Sequence, residues 1–262
     1  MRKKEVIQLV GKISEGVLSS TIDLVLYTFS LTMSSFFKSP TSRGVYQTFT
    51  EADEAFRQLN YQTFKRAFFA LKKQGFVNFP RQGPLQVEIT RQGKERLAKI
   101  LPCYEIKRPW DKKIYLITYD IPTKRNKDRD LLRNYLKRLG CAFLQASVWV
   151  TPYNPQKLLF DFAREKALDG VILVSDLGLD GKIGNESLKS LLSRIYQLEG
   201  LKGQYQEFLE KYSGKKTTSP LEISFAFNKI LRDDPQLPFD LLPNDWPGEK
   251  AYRLFLRLLH QS

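Results

Sequence analysis

A chain of 262 residues that is 42% hydrophobic, with 18 Phe and 12 Tyr, is long enough for two or three domains and too apolar to be a disordered protein. Its 42 basic side chains against 28 acidic ones leave a net charge of +14, which favours polyanions through long-range attraction and counterion release. Two cysteines, Cys103 and Cys141, are too few for a disulfide framework, and the single histidine, His260, excludes histidine-based hydrolytic triads in the folded middle of the chain.

The opening "MRKKEVIQLVGKISEGVLSS" is basic, but Glu5, Lys12 and Glu15 interrupt it before any apolar run leads to a cleavage site, so no signal peptide is expected. "TIDLVLYTFSLTM" falls short of the roughly 20 apolar residues of a membrane span, and a cytoplasmic protein that crosses no membrane is expected. From Ile13 to about Leu31, the residues Val17, Leu18, Leu24, Val25 and Leu31 recur at helical spacing and predict one long amphipathic helix. Its wide apolar face suits either the core of its own domain or a neighbouring subunit.

Next, "EADEAFRQLNYQTFKRAFFALKKQGFVNFPRQGPLQVEITRQGKERLAKIL" reads helix, short turn, helix, hairpin, helix. Asn60 is placed to cap the second helix, in which Phe64, Ala67, Phe68 and Leu71 form one buried stripe. Tyr61, Gln62, Thr63, Lys65 and Arg66 are left facing outward, Gly75 stops the helix, and Arg81 and Gln82 stand at the hairpin tip. A helix that enters the major groove needs short polar and basic side chains on its N-terminal outward face, because those reach base edges and phosphates. Over roughly residues 13–100 this order resembles the winged helix-turn-helix of bacterial and archaeal transcription regulators, a module that also serves in protein docking. The surplus of charge is on the same side, with 18 basic and 10 acidic residues up to Asp111.

Pro102 and Pro109 mark a linker, after which "KIYLITYD" predicts a central strand, "NKDRDLLRNYLKRLG" a helix, "CAFLQASVWVTPY" a strand broken near Ala146, "PQKLLFDFAREKAL" a helix and "GVILVSDLG" a strand. That order suggests a small ferredoxin-like sheet. The strand ending in "YDIP", the basic helix and "LQASVWV" together resemble the CRISPR adaptation protein Cas two, a dimeric ferredoxin-like fold. The resemblance makes Asp120 the candidate metal ligand of a Mg²⁺-dependent nuclease, two copies of it sharing an ion in a dimer. The other reading is structural, since one carboxylate is a poor basis for metal-assisted cleavage and Asp128 and Asp130 lie among basic residues. Neither a glycine-rich phosphate loop nor a serine elbow nor a paired-cysteine metal site occurs.

From Asn185 onward the pattern is helical through Leu188, Leu192, Ile195, Leu198, Tyr205, Phe208 and Tyr212, and "LEISFAFNKIL" predicts a further helix. "RDDPQLPFDLLPNDWPGEKAYRLFLRLL" then sets prolines along an extended path, a Trp246 anchor and a last helix. With the winged-helix order and the "YDIP" segment, this tail resembles the phenylacetic acid degradation repressor family, PaaX, over nearly the whole chain. The resemblance implies an α+β protein in three parts: a winged helix-turn-helix (1–108), a ferredoxin-like dimerisation domain (109–180) and a C-terminal helical domain (181–262). It further implies a homodimeric, non-enzymatic regulator without cofactor, which binds an inverted-repeat operator in double-stranded DNA and is released by an acyl-CoA-type effector. On that view Tyr61, Gln62, Thr63, Lys65, Arg66, Arg81 and Gln82 contact DNA.

Overall fold

A computed structural model describes residues 17–31, 41–52, 54–78, 87–177, 185–214 and 219–261. They form a mixed α and β protein with two antiparallel sheets. The described residues fall into two compact units. One comprises those of Met1–Tyr104, Gln204–Asp234 and Pro247–Ser262; the other comprises those of Glu105–Gly203 and Pro235–Trp246. The segment 181–262 is thus divided between the two units.

In the first unit, helix α1 (Thr21–Leu31) begins later than the apolar spacing predicts. Residues 17–20 are not helical, because the Ser20 hydroxyl accepts the Asp23 N–H at 3.1 Å and caps the chain there; Ile13 lies outside the described residues. The Asp23 carboxylate is buried and receives the Ser20 hydroxyl at 2.6 Å and both ends of the Arg96 guanidinium at 2.9 and 2.8 Å. These charge-assisted bonds replace the water that burial removes and tie α1 to α4 (Arg91–Ile100).

Helices α2 (Ser42–Ala52) and α3 (Tyr61–Lys73) close the core over α1. Phe49, Phe56 and Phe64 meet with ring centroids 5.2–6.3 Å apart, and all three are fully buried. Strands β1 (Val77–Asn78) and β2 (Glu88–Ile89) pair antiparallel, Val77 opposite Ile89, as the hairpin pattern predicts. The core takes in Leu221 and Phe225 of a much later helix, α9 (Pro220–Asp233), which the order of the sequence does not announce. Asn228 of α9 donates to the Tyr27 hydroxyl at 2.9 Å in a buried pair, and burial pushes the Tyr27 hydroxyl up to about 12. Helix α10 (Gly248–Gln261) packs on α9 by stacking Phe255 on Phe227 at 4.5 Å.

The second unit has the order β3 (Tyr115–Asp120), α5 (Asn126–Arg138), β4 (Ala142–Gln145), β5 (Val148–Thr151), α6 (Gln156–Glu165) and β6 (Val171–Asp176). The sheet runs β4-β5-β3-β6 with every neighbour antiparallel. The strand predicted to break near Ala146 does so: Ala146 adopts φ 41° between β4 and β5. Leu132 and Leu136 of α5 and Leu159 and Phe162 of α6 cover one face, over Ile117, Tyr119 and Trp149. On the other face, Leu192 of α7 (Leu188–Ile195) and Leu241 pack on Val150.

Helix α8 (Leu198–Tyr212) follows α7 after a break at Gln197, which takes φ 54°. The proline-rich segment 235–246 buries Leu237, Leu241 and Leu242, with Trp246 packed against the cluster of Leu198, Leu237 and Leu242. Its carbonyls receive the Tyr153 hydroxyl at Gln236 (2.6 Å) and the Arg108 guanidinium at Leu237 (2.9 Å). No helix among the described residues is long and apolar enough to cross a membrane.

Candidate nucleic-acid interface

Helix α3 owes its position to three local devices. At its start the Asn60 side chain accepts the Thr63 N–H at 2.9 Å, as the sequence predicts. At its end Gly75 takes φ +70°, so that Phe76 N–H reaches the Leu71 carbonyl at 3.0 Å and Gly75 N–H the Lys72 carbonyl at 3.1 Å. Between them Phe64, Ala67, Phe68 and Leu71 are buried, which fixes the helix's rotation about its own axis.

At 100° per residue, Gln62, Arg66, Phe69 and Lys73 then lie within about 30° of the direction opposite the buried stripe. Gln62, Lys65, Arg66, Lys72 and Lys73 are all exposed, with Lys65 and Lys72 on one flank. Lys65, Arg66 and Lys73 make no ion pair among the described residues. Of the other expected contact residues, Tyr61 turns toward α2: its hydroxyl lies 3.1 Å from the Ser42 hydroxyl and its ring 5.5 Å from that of Tyr46. Thr63 is half-buried at the opposite flank. Arg81 and Gln82 lie outside the described residues, and the helix brings Gln62, Lys65 and Arg66 onto one surface.

Two residues of this surface are absent from the outward set named from the sequence. Arg43, exposed on α2, sets its guanidinium over the Tyr61 ring at 5.3 Å, beside the start of α3. Its sequence signal is faint, a single arginine after the Thr41 cap, whose hydroxyl accepts the Gly44 N–H at 3.1 Å. Phe69 is 52% exposed in the middle of the outward row. Its neighbour Phe68 is buried, as the predicted stripe requires.

Asp120 ends β3 with its side chain exposed. Gly170 approaches it so closely that a Cβ there would stand 2.5 Å from the Asp120 carbonyl oxygen, and Gly170 takes φ +139°. The acids around it face arginines: Asp128 and Asp169 both approach Arg125, at 3.6 and 3.4 Å, and Asp130 approaches Arg133 at 3.6 Å. Among the described residues no group of three or more His, Cys, Asp and Glu side chains converges where a metal ion could be held. Asp120 by itself would supply one or two of the six oxygens that Mg²⁺ takes in its near-octahedral shell. Burial pushes the Cys141 thiol up to about 12, so it is no thiolate at neutral pH.

Comparison with known proteins matches residues 107–180 to the PaaX protein central Cas2-like domain and residues 196–262 to the PaaX-like protein C-terminal domain. A solved structure of an uncharacterized protein from Mycobacterium tuberculosis shares the fold over 85% of this chain and 95% of its own, with a TM-score of 0.54 at 16% identity. No curated protein matches the chain. The two family domains follow one another in order and together span more than half of the residues, and the chain belongs to the PaaX-like family.

Proposed function

We propose that this protein is a homodimeric, DNA-binding transcription regulator, acting as a repressor in the cytoplasm and without enzymatic activity. The observation that carries the reading is the outward row of α3, where Gln62 and Arg66 stand opposite a fully buried stripe on a helix capped at both ends. An arginine fork matches the two acceptors of guanine and an amide matches adenine, so this row has the chemistry of major-groove readout. Lys65, Lys72 and Lys73 supply phosphate contacts beside it, and Arg81 and Gln82 supply a wing contact.

The order α2, α3, β1, β2 supports a winged helix-turn-helix, and the antiparallel order β4-β5-β3-β6 supports a ferredoxin-like sheet. The sheet supports the homodimer as well. Leu173 and Val171 of edge strand β6 are 59% and 56% exposed, and Leu173 lies opposite Thr118, which on its other side faces Val148. Residues directly opposite share a face, so Leu173, Thr118 and Val148 stand side by side on it for a second copy to cover, with Val171 opposite Asp120 at its end. A dimer would set two α3 helices on half-sites of an inverted repeat, about one helical turn or a multiple of it apart. Asp120 then ends a strand rather than holding a metal. An acyl-CoA-type effector that releases the operator completes the proposal, on the strength of the family.

The test is a titration of labelled duplex from upstream of the protein's own gene, run with and without Mg²⁺ on native and denaturing gels. A discrete shift that weakens with salt, over intact DNA, is expected. Mg²⁺-dependent fragments that disappear in Asp120→Ala would replace this reading with a nuclease.

A further inference from the structure

Phe69 is the one large apolar side chain that is exposed among the described residues of its unit. It sits in the outward row of α3 between Arg66 and Lys73, with Lys65 and Lys72 on the flank. Its ring meets Phe68 edge-on at 5.6 Å, and the rest of it faces away from the core. A single apolar side chain on a solvated face is ordinary; what marks this one is its place in the row of Arg66 and Lys73, where a protein partner would have to seat its apolar contact among four cations. The chemistry that answers both features is a polyanion carrying a small apolar spot at fixed depth. Duplex DNA offers that in its major groove, where the 5-methyl group of thymine is the one apolar group on any base edge.

We propose that Phe69 reads thymine through its 5-methyl group, a specificity contact that rests on the DNA-binding reading of α3. Phe69 stands about 4.5 Å along the helix axis from Arg66, a little more than one base-pair step. The thymine therefore neighbours the base pair that Arg66 addresses. Lys65 and Lys72 on the flank hold the strand while the ring discriminates.

The experiment uses the full-length protein and the duplex that it shifts, with thymines replaced one at a time by deoxyuridine, which removes only the methyl group. Wild type is expected to lose about fourfold in affinity at one thymine of each half-site, the worth of one buried methyl. Phe69→Ala is expected to bind more weakly and to be indifferent to uracil there, while Phe69→Leu, which keeps apolar contact, retains the sensitivity. Circular dichroism and thermal unfolding of each variant establish that the helix is intact. If wild type is indifferent to every uracil, or Phe69→Ala keeps the fourfold loss, the thymine contact is overturned although Arg66→Ala still weakens binding and the DNA reading stands. If wild type shifts no duplex and Phe69→Ala instead changes the oligomeric state, both readings fall and Phe69 covers a second copy of the chain.

Discussion

Helices α3 and α5 have the same length, 13 residues, and each buries an apolar stripe beneath a basic surface. They differ in how that charge is held. Helix α5 mixes Asp128 and Asp130 with its basic residues: Arg125, just before it, faces Asp128 and Asp169, and Arg133 donates to the Tyr119 hydroxyl at 3.0 Å and approaches Asp130. Helix α3 contains four basic residues and no acid, and its outward row is Gln62, Arg66, Phe69 and Lys73. The caps differ as well. Asn60 accepts a backbone N–H at the start of α3, whereas α5 starts after Arg125 with no side-chain cap. Net charge therefore says less about a partner than where acids stand among the bases, and the absence of any acid on α3 supports the proposal that this helix meets an external anion.

The comparison is broken or sharpened most strongly by removing the charges in pairs. Arg66→Ala with Lys73→Ala is expected to weaken operator binding by about 10²-fold, roughly 1–3 kcal/mol for a base contact plus a phosphate contact, and to flatten the salt slope by about one. The matched pair in α5, Lys127→Ala with Lys137→Ala, should leave affinity within about threefold in the same titration; equal losses would erase the distinction between the helices. A smaller effect follows at the caps. Asn60→Ala should lower stability by about 1 kcal/mol in urea unfolding, with a matching loss of affinity as the first turn of α3 frays. Arg125→Ala, which removes two long surface pairs, should change stability by less than about 1 kcal/mol in the same assay. The smallest change is expected at Asp120→Ala, with operator affinity and Mg²⁺ response unaltered in the gel titration; a variant that gains or loses Mg²⁺ dependence would return α5 and its strand to the catalytic reading.

Much of α3 is legible in the sequence because its determinants are local. The Asn60 cap, the stripe of Phe64, Ala67, Phe68 and Leu71, and the stop at Gly75 all act within one turn of where they are written. The same holds for β3, α5 and the break at Ala146. Phe69 follows from the stripe of α3 as an outward residue, yet the outward set read from the sequence stopped at Arg66 and left it out. Tyr61 was read as outward from its own helix alone; the structure leaves it half-exposed, with its hydroxyl beside Ser42 and its ring against Tyr46, residues of another helix that no stripe names.

The sequence by itself determined the family, the periods of the helices and strands, and the basic surplus near the N-terminus, all of which depend on short-range patterns. Only the tertiary structure decided what covers each apolar face. Helix α9 shows this best: its stripe was plain in "LEISFAFNKIL", yet Leu221 and Phe225 complete a core begun at Leu24, and Asn228 bonds to Tyr27 across 201 residues of chain. Hydrophobic burial is non-directional, so an amphipathic pattern declares that a face must be covered without naming the partner. The buried hydrogen bond names it, because a polar group out of water must find one specific mate.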